Sequence, residues 1–372
     1  MKEIKGKLGF GCMHLPMTLA VVDKTEFNKM IDAFMEAGFN YFDTAHGYLA
    51  GMSEKAIKTC LVSRYDRESY FLTNKLSEGF FKKEEDIVPL FEKQLNACGV
   101  EYFDYYLMHA LSAKSYQKYQ DTHAFDVCMK LKEEGRIKHL GISFHDVPEV
   151  LDKILSDHPE IEVVQLQFNY ADYNNPGVES RGCYEVCEKH GKPVIVMEPV
   201  KGGSLVNLPD AAKKVFDNLG GGSYASFAIR FAASFPNIMM VLSGMGSMEM
   251  MTDNVSYMKN FKPLDENEME AIEKVRAILD NQNLIQCTGC RYCVDGCPKN
   301  IIIPEIFAIY NQKKQHAIDW NSSMYYKNLT ANSGKAKDCI KCGKCEHICP
   351  QNLPIRDLLK KASRRLDIVK FI

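Results

Sequence analysis

Between residues 8 and 244 short apolar runs alternate with amphipathic segments, and this rhythm restricts the fold more than any other feature of the chain. The runs are LGFGCM (8–13), NYFDTA (40–45), YFLTNK (70–75), YFDYYLMH (102–109), HLGISF (139–144), VVQLQFN (163–169), PVIVMEP (193–199) and IMMVLSG (238–244). Segments such as KTEFNKMIDAFMEAG (24–38), EDIVPLFEKQLNACG (85–99), AFDVCMKLKEEGRI (124–137) and SYASFAIRFAAS (223–234) lie between them. Eight strand–helix pairs in about 260 residues predict an α/β fold, a (β/α)8 TIM barrel with its chemistry at the carboxyl ends of the strands. A doubly wound open sheet is the alternative, but no strand leads into a G-x-G-x-x-G turn.

A chain of 372 residues exceeds one usual domain, so a large domain plus a smaller one is expected. The apolar share of 46% and charged share of 25% are those of a globular protein with a sizeable core. A formal charge of −2 supplies no basic field for nucleic acid or anionic lipid. Only the tail KKASRRLDIVKF (360–371) is basic and amphipathic, and docking on its own protein is the simplest reading of such a helix. The N-terminus MKEIKGKLGFGC lacks a signal-peptide apolar region, and no run approaches the roughly 18 apolar residues of a membrane span. A cytoplasmic location is therefore expected.

Eight of the fourteen cysteines fall in two copies of one spacing, Cys287-x2-Cys290-x2-Cys293-x3-Cys297-Pro298 and Cys339-x2-Cys342-x2-Cys345-x3-Cys349-Pro350. Disulfide scaffolds are short and secreted, unlike this chain, so Cys12, Cys60, Cys98, Cys128, Cys183 and Cys187 read as small buried apolar residues. Zinc sites pair two cysteines with two distant ligands. Three thiolates two residues apart, with a fourth before proline, instead match the bacterial ferredoxin run, in which the fourth cysteine serves the other cluster. That resemblance assigns one [4Fe–4S] cluster to Cys287, Cys290, Cys293 and Cys349, and another to Cys339, Cys342, Cys345 and Cys297. Between the runs, Ile306, Ile309 and Tyr310 recur at helical intervals, so the module resembles the α-helical two-cluster ferredoxins of multi-subunit reductases. The expected domains are a barrel over 1–262, a linker helix over 263–285, a ferredoxin-like module over 286–355 and a tail over 356–372.

Polar residues close the barrel strands: Asp43 the second, Lys75 the third and His109 the fourth, with Tyr48 in the loop after the second. The stretch NYFDTAHGYLAGMSEKAIKTCL (40–61) resembles the D-T-A-x-x-Y…G-x-S-E signature of the aldo-keto reductases. The lysine, the histidine and the G-I-S of the fifth strand extend the likeness over roughly residues 7–260. A branch of the family with MEPVKGGSL-like loops and a cysteine-rich tail matches best. Reduction of a carbonyl by hydride leaves an alkoxide to protonate, and an unperturbed tyrosine of pKa near 10 gives up its proton reluctantly. The resemblance makes Tyr48 the acid. Lys75, held charged by Asp43, would favour the phenolate, and His109 would orient the substrate oxygen.

By the same resemblance Ser143 and Gln165 hold the nicotinamide carboxamide, and Pro199, Val200, Gly202 and Gly203 cross the pyrophosphate. Asp253 and Asn254 hold the adenine. Where the family commonly grips the 2′-phosphate of NADP with a lysine and an arginine, this chain has Gly244 and Met250, so weak discrimination between NADPH and NADH is expected. Met197 replaces the aromatic residue that stacks on nicotinamide.

A nicotinamide exchanges two electrons as hydride and a [4Fe–4S] cluster exchanges one, so direct transfer between them needs an adapter. Three functions follow. The first is NAD(P)H-dependent reduction of a small-molecule carbonyl, or the reverse alcohol oxidation, with two accessory clusters. The second is an electron-transfer enzyme whose ferredoxin-type clusters feed a flavin bound in the barrel or a substrate radical; a redox partner protein is the further partner that such clusters imply. The third is a non-catalytic redox sensor.

Overall fold

The structure, a computed structural model, describes residues 3–175, 178–281, 284–315 and 326–367. Residues 282–283 of the expected linker, 316–325 between the cysteine runs and 368–372 of the tail lie outside the described residues. The fold divides into two compact units: residues up to 175 with 179–200 and 222–269 form one, and 201–221 with the chain from 270 onward form the other.

The first unit is the expected barrel. Strand β1 is Leu8–Gly11, followed by a small hairpin of β2 (Met17–Thr18) and β3 (Val21–Val22), which the apolar pattern gave no sign of. Then come β4 (Tyr41–Asp43), β5 (Phe71–Ser77), β6 (Phe103–Leu111), β7 (Ile137–Phe144), β8 (Val163–Gln167), β9 (Val194–Met197) and β10 (Ile238–Ser243). Apart from the hairpin, each strand pairs in parallel with the next, and β10 closes on β1. Tyr41 of β4, Tyr105 and Leu107 of β6, Val163 of β8, Ile195 of β9 and Met240 of β10 belong to one buried cluster, the layered filling of a closed barrel. Gly141 makes room for that filling. A Cβ there would stand 2.5 Å from Val163 Cγ1 and 2.6 Å from Leu107 Cδ2.

The outer helices follow from local sequence. Helix Lys24–Glu36 starts at Asp23, whose carboxylate accepts the Glu26 N–H, and buries Phe27, Met30, Ile31 and Phe34 along one face. Phe27 and Phe34 meet Phe10 of β1 with ring centroids 5.5 and 5.6 Å apart. Burial of each such side chain contributes about 1.5–3 kcal/mol.

The second unit is helical around the cysteines. Short helices Tyr292–Asp295 and Lys344–His347 lie within the two runs, and longer helices Ile303–Gln315 and Ile355–Leu366 pack on each other. Ile303, Ile306, Phe307 and Tyr310 share a core with Ile355, Leu359, Ala362 and Leu366. The described part of the basic tail thus docks by its apolar face and leaves Lys360, Lys361, Arg364 and Arg365 exposed. Among the described residues no helix is long and apolar enough to cross a membrane.

Candidate functional site

Closure of the barrel gathers four side chains at the carboxyl ends of β4, β5 and β6. Lys75 is fully buried, and its ammonium has three acceptors: Asp43 Oδ1 at 2.5 Å, the Thr44 carbonyl at 2.9 Å and Tyr48 Oη at 3.3 Å. Gln165 Nε2 donates to the other Asp43 oxygen at 3.1 Å. Left-handed backbone at Leu49 and Ala50 follows Tyr48 in a tight turn. The Tyr48 and His109 rings meet edge-on, 6.0 Å between centroids and 74° between planes.

Burial governs the charges. It pushes the Asp43 carboxyl up and the Lys75 ammonium down, while the attraction between the two opposes both shifts. Burial, with Asp43 and Glu198, also pushes the Tyr48 phenol well above its usual range. Tyr48 therefore rests as a neutral phenol. Burial, then Lys75 and His145, hold His109 well below the usual histidine range, so its imidazole is neutral.

Several participants escaped the sequence reading. Strand β5 runs two residues past Lys75, and its register sets Ser77 beside His109, with Oγ and Nδ1 2.6 Å apart. No apolar signal marks Ser77, because the expected strand, residues 70–75, ends two positions short of it. Behind the lysine, the buried Glu54 accepts from Asn74 at 2.9 Å and pairs with His46 at 2.8 Å, which fixes the loop carrying Tyr48. Cys12, assigned only to packing, is buried close enough to feel both Asp43 and Lys75.

The residues expected to hold a nucleotide are distributed unevenly. Ser143 and Gln165 are paired in register on β7 and β8, and Ser143 Oγ accepts the Ala110 N–H at 3.0 Å. Met197 ends β9 and is partly exposed, as is Val200, while Pro199 is buried. Gly202 and Gly203 have left-handed φ of 59° and 88°. A Cβ on Gly202 would lie 1.8 Å from the Thr288 carbonyl oxygen, so close packing against the first cysteine run requires glycine there whatever else the loop binds. A Cβ on Gly244 would meet His14 Nδ1 at 3.1 Å, and Met250 is half exposed. Asn254 is buried and engaged at both ends, donating to Ser243 at 2.6 Å and accepting from Tyr257 at 2.5 Å. Asp253 accepts from Ser223 at 2.7 Å and stays partly exposed. Of the two residues expected at adenine, the carboxylate is the more accessible, and the amide braces the end of β10.

In the second unit the cysteines line two cavities, sorted across the runs. Cys287, Cys290, Cys293 and Cys349 line one. Cys297, Cys339, Cys342 and Cys345 line the other. Among the described residues no three histidine, cysteine or carboxylate side chains converge on a point that would hold a single metal ion. Four soft sulfur donors round a mostly apolar cavity suit a cluster, with the fourth cysteine of each run lining the other run's cavity.

A closed parallel barrel with a buried Asp–Lys–Tyr group and a neutral histidine at its strand ends, joined to a helical module with two cysteine-lined cavities, defines an oxidoreductase with an iron–sulfur domain. The chain belongs to the aldo/keto reductase family, whose model matches residues 7–277, and residues 286–353 match the 4Fe-4S dicluster domain. It is 25% identical over 196 residues to the uncharacterized oxidoreductase YtbE of Bacillus subtilis, a match covering 51% of this chain and 66% of that protein. With the uncharacterized oxidoreductase YqkF of the same organism it shares 24% identity over 298 residues, 72% of this chain and 91% of that one. A solved aldo-keto reductase of Klebsiella pneumoniae in complex with NADPH has the same fold, with a TM-score of 0.61 and 18% identity across 74% of this chain and 96% of that one.

Proposed function

We propose that the barrel reduces a small-molecule carbonyl to an alcohol, or runs the reverse oxidation, with a nicotinamide as hydride source, and that residues 286–355 bind two [4Fe–4S] clusters. The observation that carries this reading is the buried Lys75 ammonium shared between Asp43 and the Tyr48 hydroxyl, with the neutral His109 ring alongside. A bound nicotinamide would supply hydride to the carbonyl carbon. With the Ser77 hydroxyl donating to Nδ1, His109 carries its proton on Nε2 and can donate it to the carbonyl oxygen, fixing the substrate. As charge grows on that oxygen, Tyr48 gives up its phenol proton, and the phenolate left behind lies within reach of the lysine. Burial keeps the acid loaded, and the lysine acts after the proton has left.

The donor set fits the nicotinamide end of a dinucleotide, since Ser143 and Gln165 place a hydroxyl and an amide side by side at the barrel mouth. At the phosphate end neither Gly244 nor Met250 offers a charge, and burial lowers the pKa of the neighbouring His14, so it adds no fixed cation. We assign one cluster to Cys287, Cys290, Cys293 and Cys349 and the other to Cys297, Cys339, Cys342 and Cys345, in line with the two cavities. Single-electron carriers of this kind suit exchange with a redox partner protein.

Tyr48→Phe keeps the ring and removes the proton. Its turnover of a simple aldehyde should fall at least about 10²-fold with nicotinamide affinity little changed. Near-native turnover in that variant would remove Tyr48 from the chemistry.

A further inference from the structure

One buried polar atom in the iron–sulfur module lacks a protein partner where a partner is most needed. Thr288 lies between Cys287 and Cys290, is 5% exposed, and lines the same cavity as the four thiols assigned to the first cluster. Its Oγ1 is buried without a hydrogen bond in the protein. Buried hydroxyls are almost always satisfied, so an orphan on a residue that lines a cofactor cavity points to the cofactor as acceptor. Its peptide is also held in place, because the Thr288 carbonyl fills the position that any side chain at Gly202 would need.

We infer that the Thr288 hydroxyl donates a hydrogen bond to a sulfur of the cluster held by Cys287, Cys290, Cys293 and Cys349, and so raises the reduction potential of that cluster alone. This rests on the cluster assignment above. Cluster and thiolate sulfurs are anionic acceptors, and reduction adds one more negative charge. A fixed donor therefore stabilises the reduced state more than the oxidised one. In the second run the matching position is Ile340, which lines the other cavity, is 55% exposed and has no donor to offer from its side chain. That cavity is flanked instead by Lys299, Lys344 and Arg356, the last bonded to Glu346 at 2.6 Å. The two clusters are thus tuned by different means, a short-range hydroxyl at one and longer-range cations at the other.

The test is a redox titration of the anaerobic full-length holoprotein followed by electron paramagnetic resonance, with iron and sulfide assayed on the same samples. Thr288→Val preserves shape and removes the donor. At a fixed applied potential the reduced-to-oxidised ratio of one cluster should fall about tenfold, 59 mV for a one-electron couple, with the other cluster unmoved. Thr288→Ser, which keeps the hydroxyl, should stay near the native potential. Native iron and sulfide in Thr288→Val with both potentials unchanged overturns the inference. If valine lowers the iron content, Thr288→Ala, which adds no new contact, is titrated in its place and read by the same two outcomes. Native protein with iron and sulfide absent would overturn the cluster assignment itself, and the inference with it.

Discussion

Lys75 shows how much one residue can organise. Its three N–H bonds reach a carboxylate, a backbone carbonyl and a phenol, so the ammonium is fully satisfied without water. Lys75→Met removes the only cation bonded to Asp43 among the described residues and leaves a carboxylate buried at 3% exposure with the Gln165 amide as partner. Stability should drop by about 3–5 kcal/mol, measured by urea unfolding, because the uncompensated charge dominates. A loss below about 1 kcal/mol would show that the Asp43 carboxyl takes up a proton at little cost. At the phosphate end, NADH and NADPH should bind within about tenfold of each other, a gap of roughly 1.4 kcal/mol. Met250→Arg should favour NADPH, since a guanidinium pairs bidentately with a 2′-phosphate. Titration of both nucleotides checks this, and a strong native preference for NADPH would mean that another cation grips the phosphate.

At the scale of elements, β6 and β7 each deliver a histidine to the barrel mouth region, His109 near the end of β6 and His145 just after β7. Burial lowers His145 to about 4, and among the described residues its Nδ1 has no hydrogen-bond partner. An unfolded histidine binds its proton near pH 6.5, whereas the folded one does so only near 4. Stability is therefore complete above pH 6.5 and is lost as the pH falls through that window, by about 2 kcal/mol between pH 6.5 and 5 from His145 alone. His145→Asn, which cannot titrate, should lose correspondingly less between pH 7 and 5 in urea unfolding. An identical drop in both proteins would place the acid sensitivity elsewhere. The barrel strands themselves were legible because each is an apolar run followed by an amphipathic helix. Asp43, Lys75 and His109 were legible because they interrupt those runs at one end. The hairpin at Met17–Val22 was not, since two-residue strands carry no period. Nor was the meeting of Gly202 with Thr288, which lie 86 positions apart, nor the protonation of Tyr48, which burial decides.

At the scale of the whole molecule, the chain joins an aldo/keto reductase barrel to a 4Fe-4S dicluster domain. The cysteine runs announced the second domain by spacing alone, and the fold sorts their sulfurs into two cavities across the runs. The central claim is that hydride passes between the nicotinamide and a carbonyl at the Tyr48 centre rather than into the clusters. Anaerobic mixing of cluster-loaded protein with NADPH, first alone and then with a simple aldehyde, tests it in one absorbance experiment that follows nicotinamide and cluster bands together. The account predicts that NADPH alone leaves the cluster absorbance intact and is then consumed mole for mole with added aldehyde. Bleaching of the clusters by NADPH before any aldehyde is present would contradict it, and would point to a flavin or another one-electron adapter bound in the barrel.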